Sequence, residues 1–350
     1  MLANLRQFAL EQARRGVAVR HVVHEGSYRE ALEEQVRRIG PLVMMEPAER
    51  ELRVELAPLV DAGDLRVVEH AGWLTTGDQF RRAVGGRPPW RMDRFYRLVR
   101  RESGLLMEGG RPAGGRLSFD SENRRPWKGE PPAPEPPRFR PDAVTDEVLR
   151  LVASRFADHP GRLDGAALPS TRRDARRLWR WARDACLPCF GPFEDAMSTA
   201  SRGIFHTRIA PLLHLHRLLP AEVVREAVAL DAPLPSREGF LRQILGWREF
   251  VRHVHRETDG FRVLHPDGAP SFLGSDRPLP PAWWGDAPSG LACLDHVVAS
   301  VWEDGYTHHI PRLMVLSNLA TLLDVSPREL TDWFWAAFTD AYDWVVEPNV

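Results

Sequence analysis

The chain has 350 residues, 43% of them hydrophobic and 27% charged, which excludes a wholly disordered chain and allows two buried cores. A formal net charge of −1 excludes a global field that would draw in nucleic acid, so any basic surface must be local. No run approaches the roughly 18 apolar residues of a membrane span, and three cysteines, Cys186, Cys189 and Cys293, argue against a disulfide framework and for a reducing cytoplasm.

Residues 2–15 read as an amphipathic helix. Charge at Arg6 and Glu11 interrupts its apolar stretch, so it does not read as a signal peptide. Residues 16–23 (GVAVRHVV) form a β-branched alternating run, a first strand. Tyr28 to Ile39 reads as a helix, 41–46 as a buried strand, Ala48 to Ala62 as a third helix, and 65–70 as a third strand. This αβαβαβ order predicts a parallel sheet with crossover helices. Residues 81–144 lack clear periodicity and end in the proline-rich 129–141, an extended linker. From Thr145 onward the pattern is helical. Ser236 is placed to cap a helix through Glu257, with Phe240, Ile244, Trp247, Val251 and Val254 on one stripe. Ser326, Pro327 and Glu329 mark another helix start, followed by the aromatic run Trp333, Phe334, Trp335 and Phe338. The fold class is therefore α/β plus all-α. The expected division is a partial α/β domain over 1–80, a linker over 81–144 and a helical domain over 145–350.

Few motifs carry chemistry alone. Cys186-Leu-Pro-Cys189 lacks the context of a redox or zinc motif and reads as ordinary semi-buried thiols. The arginine-rich 170–184 reads as a solvated face with i,i+4 ion pairs, or as a phosphate-contacting surface. His308 and His309 are adjacent. On a helix such side chains point about 100° apart and rarely share a metal. No Walker A, dinucleotide fingerprint or nucleophile elbow occurs.

Four stretches together carry a resemblance: 104–124 (GLLMEGGRPAGGRLSFDSENR), 246–252 (GWREFVR), 306–327 (YTHHIPRLMVLSNLATLLDVSP) and 340–350 (DAYDWVVEPNV). The chain resembles the photolyase/cryptochrome family along essentially its whole length, and within it the bacterial iron–sulfur branch of prokaryotic (6-4) photolyases. The resemblance implies an N-terminal antenna domain, a long linker and a helical FAD domain. It implies repair of pyrimidine–pyrimidone (6-4) photoproducts in damaged DNA by electron transfer from light-excited reduced flavin, with the base flipped out of the duplex. The alternative within the family is a blue-light receptor without repair. A cytoplasmic monomer with no membrane association is expected.

The resemblance also implies residue roles. His309 matches the histidine that faces the lesion and donates its proton, with His308 in support. His206 and Thr207 match the phosphate-side segment, and Glu238, Gln243, Trp247 and Arg248 the flavin-binding helix. Asn318 and Asp340 match later flavin contacts, and Glu347 an acidic residue near the flavin N5. Ala210 departs from the usual Ser or Thr, a loss of about 1 kcal/mol at one hydrogen bond. Trp333 and Tyr342 match electron-transfer residues, with Trp284 (or Trp283) as a further candidate. Phe334 replaces a frequent tyrosine and loses that branch. Cys293 matches the first of four [4Fe-4S] ligands, while the other three would lie beyond Val350. The strand carrying part of a lumazine-type antenna site would precede Met1. The chain is therefore expected to be a piece of a longer gene, without a complete cluster.

Overall fold

A computed structural model describes residues 1–263 and 273–350. The chain opens with α1 (Leu2–Arg14), α2 (Tyr28–Ile39), β1 (Leu42–Met45), α3 (Arg50–Asp61) and β2 (Leu65–Val68). Strands β1 and β2 pair in parallel, from Leu42 opposite Leu65 to Met45 opposite Val68. Leu56, Leu59 and Leu65 are buried in a small core against Leu42 and Met44. The opposite side chains, Val43 and Met45, are exposed. This is the period-two alternation of a strand with one covered face.

The strand expected at 16–23 does not form: residues 17–24 are irregular, and Val17, Val19, Val22 and Val23 are exposed. A strand exists through its ladder, and this run pairs with neither β1 nor β2 among the described residues. Its alternating pattern alone therefore does not decide its structure.

Two helices occupy the region expected to lack periodicity, α4 (Gly77–Val84) and α5 (Met92–Ser103). Thr76 and Gln79 form a reciprocal capping box at the start of α4. Phe80, Val84, Phe95, Tyr96 and Val99 bury one face of the pair in the main core. Next come the short hairpin β3 (Met107–Glu108) and β4 (Arg111–Pro112), and an irregular stretch to Pro141 that includes the expected linker.

The remainder is helical, as the periodicity predicted. It comprises α6 (Ala143–Arg155), α7 (Arg172–Trp181), α8 (Leu187–Phe193), α9 (Ala210–His214), α10 (Pro220–Val228), α11 (Leu234–Leu241), α12 (Glu249–Glu257), α13 (Ala292–Asp304), α14 (His309–Pro311), α15 (Asn318–Leu322), α16 (Pro327–Ala337) and α17 (Asp343–Val346). π-helical turns join α7 to α8, α11 to α12 and α14 to α15. A second core gathers around Trp283, Leu294, Val301, Leu316 and Trp333.

Two helix expectations need correction. The helix expected to begin at Ser236 begins at Leu234, with Pro at its first turn. The Ser236 hydroxyl accepts from the Gly191 N–H and donates to the Pro188 carbonyl. A Cβ at Gly191 would lie 2.6 Å from the Ser236 nitrogen, so α8 and α11 meet backbone to backbone. The π turn Arg242–Arg248 adds a residue to the helical repeat. This turns Trp247 outward, 41% exposed, while Phe240, Ile244 and Val251 stay buried. Helix α16 begins at Pro327 as expected, although the Ser326 side chain makes no capping bond.

Candidate cofactor and substrate site

The three histidines singled out from separate segments meet. The ring of His206 stacks on His308 at 4.2 Å and 14°, and meets His309 edge-on at 5.2 Å. One nitrogen from each lies within 4.8 Å of the others. The objection that adjacent helical histidines diverge does not apply, because His308 is the extended N-cap (φ −73°, ψ 174°) and His309 the first helical residue. His206 and His308 are buried, at 7% and 3% exposure. Burial, then the neighbouring imidazoles, hold both well below the usual histidine range. The His309 side chain is 36% exposed, with its Nε2 3.4 Å from the Asp195 carboxylate.

Glu194 and Asp195 were not singled out from the sequence, where two adjacent acids after a helix are unremarkable. Glu194 is buried, and burial pushes its carboxyl up against the opposing pull of Arg242. It accepts from Asn123, Gln243 and Arg242. Gly239 makes its entry possible, since a Cβ there would stand 2.6 Å from Glu194 Oε2. Gln243 thus borders the histidine cluster through Glu194, and Thr207 is half-buried beside His206.

The other expected flavin contacts lie in distinct settings. Glu238 is fully buried and accepts from the Tyr96 hydroxyl and the Phe119 N–H. Arg248 is buried, paired with Glu249 at 2.6 Å and stacked over Trp73 at 4.2 Å. Asp340 accepts two 3.0 Å bonds from Arg312, which covers the Phe338 ring at 4.2 Å. Glu347 faces His255 at 3.1 Å, Arg262 and Arg328. Asn318 is exposed at the start of α15, and Trp247 is exposed.

The buried polar atoms test the fit of FAD. His206 Nε2, His308 Nδ1, His214 Nδ1 and Arg248 Nε and Nη2 are buried without a hydrogen-bond partner. Buried polar atoms ordinarily have partners. A guanidinium with two free donors and a set of neutral imidazoles suits a ligand with phosphates and a polar ring. The residues present therefore fit the group, with Ala210 contributing no hydroxyl.

The aromatic candidates separate. Trp333 is fully buried, Trp283 is 1% exposed and Trp284 is 39% exposed. Tyr342 packs on His214 at 5.2 Å, and burial pushes its hydroxyl up to about 12. Cys293 is exposed near the start of α13, and Cys186 and Cys189 are free thiols, buried and half-buried. In the arginine-rich stretch, Arg176 of α7 meets Glu222 and Glu226, and Arg183 in the π turn that follows meets Glu226.

The chain is similar to known proteins in sequence and in fold. A family model described as deoxyribodipyrimidine photo-lyase-related protein matches residues 1–168. The chain is 33% identical over 360 residues to a (6-4) photolyase of Agrobacterium fabrum, covering 99% of this chain and 70% of the relative. A solved bacterial class III photolyase from Agrobacterium tumefaciens shares the fold, with TM-score 0.64 and 18% identity over 99% of this chain and 67% of that one. The architecture, mostly helical with a small parallel sheet, is thus photolyase-like. Among the described residues no helix is long and apolar enough to cross a membrane.

Proposed function

We propose, from the fact that this chain belongs to the photolyase-related family, that it is a photolyase-type lyase. It repairs (6-4) photoproducts in damaged DNA by light-driven electron transfer from FAD. The observation that carries this reading is the relation to a (6-4) photolyase over 99% of the chain. The histidine cluster supports it.

FAD, when bound, supplies the light-absorbing electron donor. Arg248, His206 and Thr207 would hold its phosphate side, and Gln243, Asn318, Asp340 and Glu347 its polar ring. Burial keeps His206 and His308 neutral. Their stacked rings brace His309, the partly exposed member beside Asp195. A flipped base entering from solvent reaches His309 first, and its ring is the group placed to pass a proton to the lesion.

The test is direct. Protein with bound, pre-reduced FAD is illuminated with blue light and an oligonucleotide carrying one (6-4) photoproduct. Restored pyrimidines are expected by chromatography, only in the light. Bound flavin without repair would overturn the reading and leave a light receptor. Folded protein that never takes up FAD would overturn both.

A further inference from the structure

We propose that the cleft between the end of α1 and the start of α7 binds a run of linked phosphates. The site stands apart from the flavin contacts and the histidine cluster, so it does not rest on the proposed repair. One polar stripe fastens α1 to the helical part of the chain. Asn4 donates to the Pro169 carbonyl and Gln7 to the Asp142 carboxylate. Glu11 accepts from the Arg172 N–H at 2.9 Å and from Arg217 at 2.8 Å. Positions 4, 7 and 11 share one helix face, and the next positions on that face are 14 and 15. Arg14 and Arg15 therefore arrive beside the first turn of α7, which carries Arg172 and Arg173. These four arginines, with Glu11 and Asp142, line a cleft of about 600 Å³.

Like charges set across an interface repel, and little in the cleft offsets them. Among the described residues, Arg14, Arg15 and Arg172 make no ion pair, and Arg173 reaches only Asp174, at 3.8 Å. The nearby acids are engaged elsewhere. Glu11 pairs with Arg217, and Asp142 accepts from Gln7 and from the N–H and hydroxyl of Thr145. Arg176 also borders the cleft, but Glu222 and Glu226 neutralise it. Arg14 and Arg15 suit the negative end of the α1 dipole. Arg172 and Arg173 occupy the first two positions of α7, the positive end of its dipole, where cations are disfavoured. The chain as a whole has a formal net charge of −1, so this concentration is local. Reading the arginine run as a face of ion pairs accounts for Arg176 and Arg183 but not for this end of it.

An anion in the cleft resolves the repulsion. Each guanidinium offers a planar fork of donors that matches two phosphate oxygens at once. Four such forks exceed what a single phosphate can engage, whereas linked phosphates supply both the charge and the oxygens. The linkage has two sources, a nucleic-acid backbone and a free oligophosphate, and the recognising chemistry is the same.

The test uses the whole chain, titrated calorimetrically with inorganic tripolyphosphate at low salt. One site is expected, with orthophosphate much weaker. Arg14→Gln and Arg173→Gln should each weaken it by about tenfold or more, the worth of one charge-assisted contact. Arg97→Gln, at an exposed position on α5, should leave it unchanged. Arg173→Gln should also raise the melting temperature of the ligand-free chain, because it relieves the repulsion. A short undamaged duplex distinguishes the sources. If the duplex displaces tripolyphosphate and the slope of its log affinity against log salt falls by about 1 in Arg173→Gln, the source is a nucleic-acid backbone. If the duplex binds both proteins alike while tripolyphosphate binding is lost, the source is a free oligophosphate. Absence of tripolyphosphate binding, or binding that survives both cleft variants, overturns the site. Neither readout involves flavin or light, so failure of this site and failure of the proposed repair are separate results.

Discussion

Replacing Glu238 by alanine should destabilise the fold by about 3–5 kcal/mol, the cost of breaking a buried ion pair from one side. The carboxylate is fully buried and accepts from the Tyr96 hydroxyl at 3.0 Å and the Phe119 N–H at 2.9 Å. Arg242 stands 3.6 Å away and Arg100 3.9 Å away. Arg100 is itself fully buried, and its remaining donors are spent on the carbonyls of Leu105, Leu106 and Leu117. Alanine removes the acceptor of two hydrogen bonds and strands the Arg100 charge. Each bond to a charged group is worth about 1.5–3 kcal/mol, and the terms overlap because Arg100 retains its carbonyl partners. Against a total stability of about 5–15 kcal/mol, the loss is severe. Urea denaturation at neutral pH measures it. A change below about 1 kcal/mol, accompanied by loss of FAD binding, would refute the reasoning and make Glu238 a ligand rather than a structural anchor.

His309→Ala should lower repair by pre-reduced protein by about 10²–10⁴-fold, the usual worth of a positioned acid, while FAD binding persists; this is read from oligonucleotide repair and flavin absorbance. Stability should fall as pH drops below about 6.5, the unfolded histidine value. The folded values of His206 and His308 lie well below it and those of His216 and His253 are near 3, so the unfolded chain takes up protons that the folded chain refuses. Each such histidine adds up to about 1.4 kcal/mol per pH unit within that window, and denaturation at pH 7.5 and 5.5 should differ accordingly. Burial pushes the thiols of Cys186 and Cys189 up. Alkylation followed by peptide mass spectrometry should therefore label exposed Cys293 first, Cys189 slowly and Cys186 only after unfolding.

Period and punctuation made much of the fold legible. The β1–α3–β2 unit and the helical half follow from strand alternation, 3.6-residue periodicity and the proline at the start of α16. Where they failed, the deciding partner was not local. The run 16–23 has a strand's composition but no ladder. Helices α4 and α5 hide among arginines because only a narrow face is apolar, Phe80 and Val84 in one, Phe95, Tyr96 and Val99 in the other. The displacement of Trp247 depends on a π turn that no spacing rule anticipates. At the candidate site, His206, His308 and His309 were visible only as isolated histidines and through a family resemblance. Their stacking comes from the approach of α14 to the segment before α9. Glu194 and Asp195 left no sequence signal, because each is defined by what lies across from it.

The electrostatics of the cluster explain why its histidines are not equivalent. Three imidazoles within 4.8 Å of one another cannot all carry charge. Burial removes two from contention, since His206 and His308 lie under the surface with orphaned ring nitrogens. Only His309 combines access to solvent with a carboxylate partner, Asp195. Glu194, one residue away, cannot take over that role. Its carboxylate is enclosed by Asn123, Gln243 and Arg242, and it helps to fix the floor of the site. The arrangement thus sets one partly exposed imidazole, beside a carboxylate, against a buried, stacked pair whose affinity for protons is held down by burial.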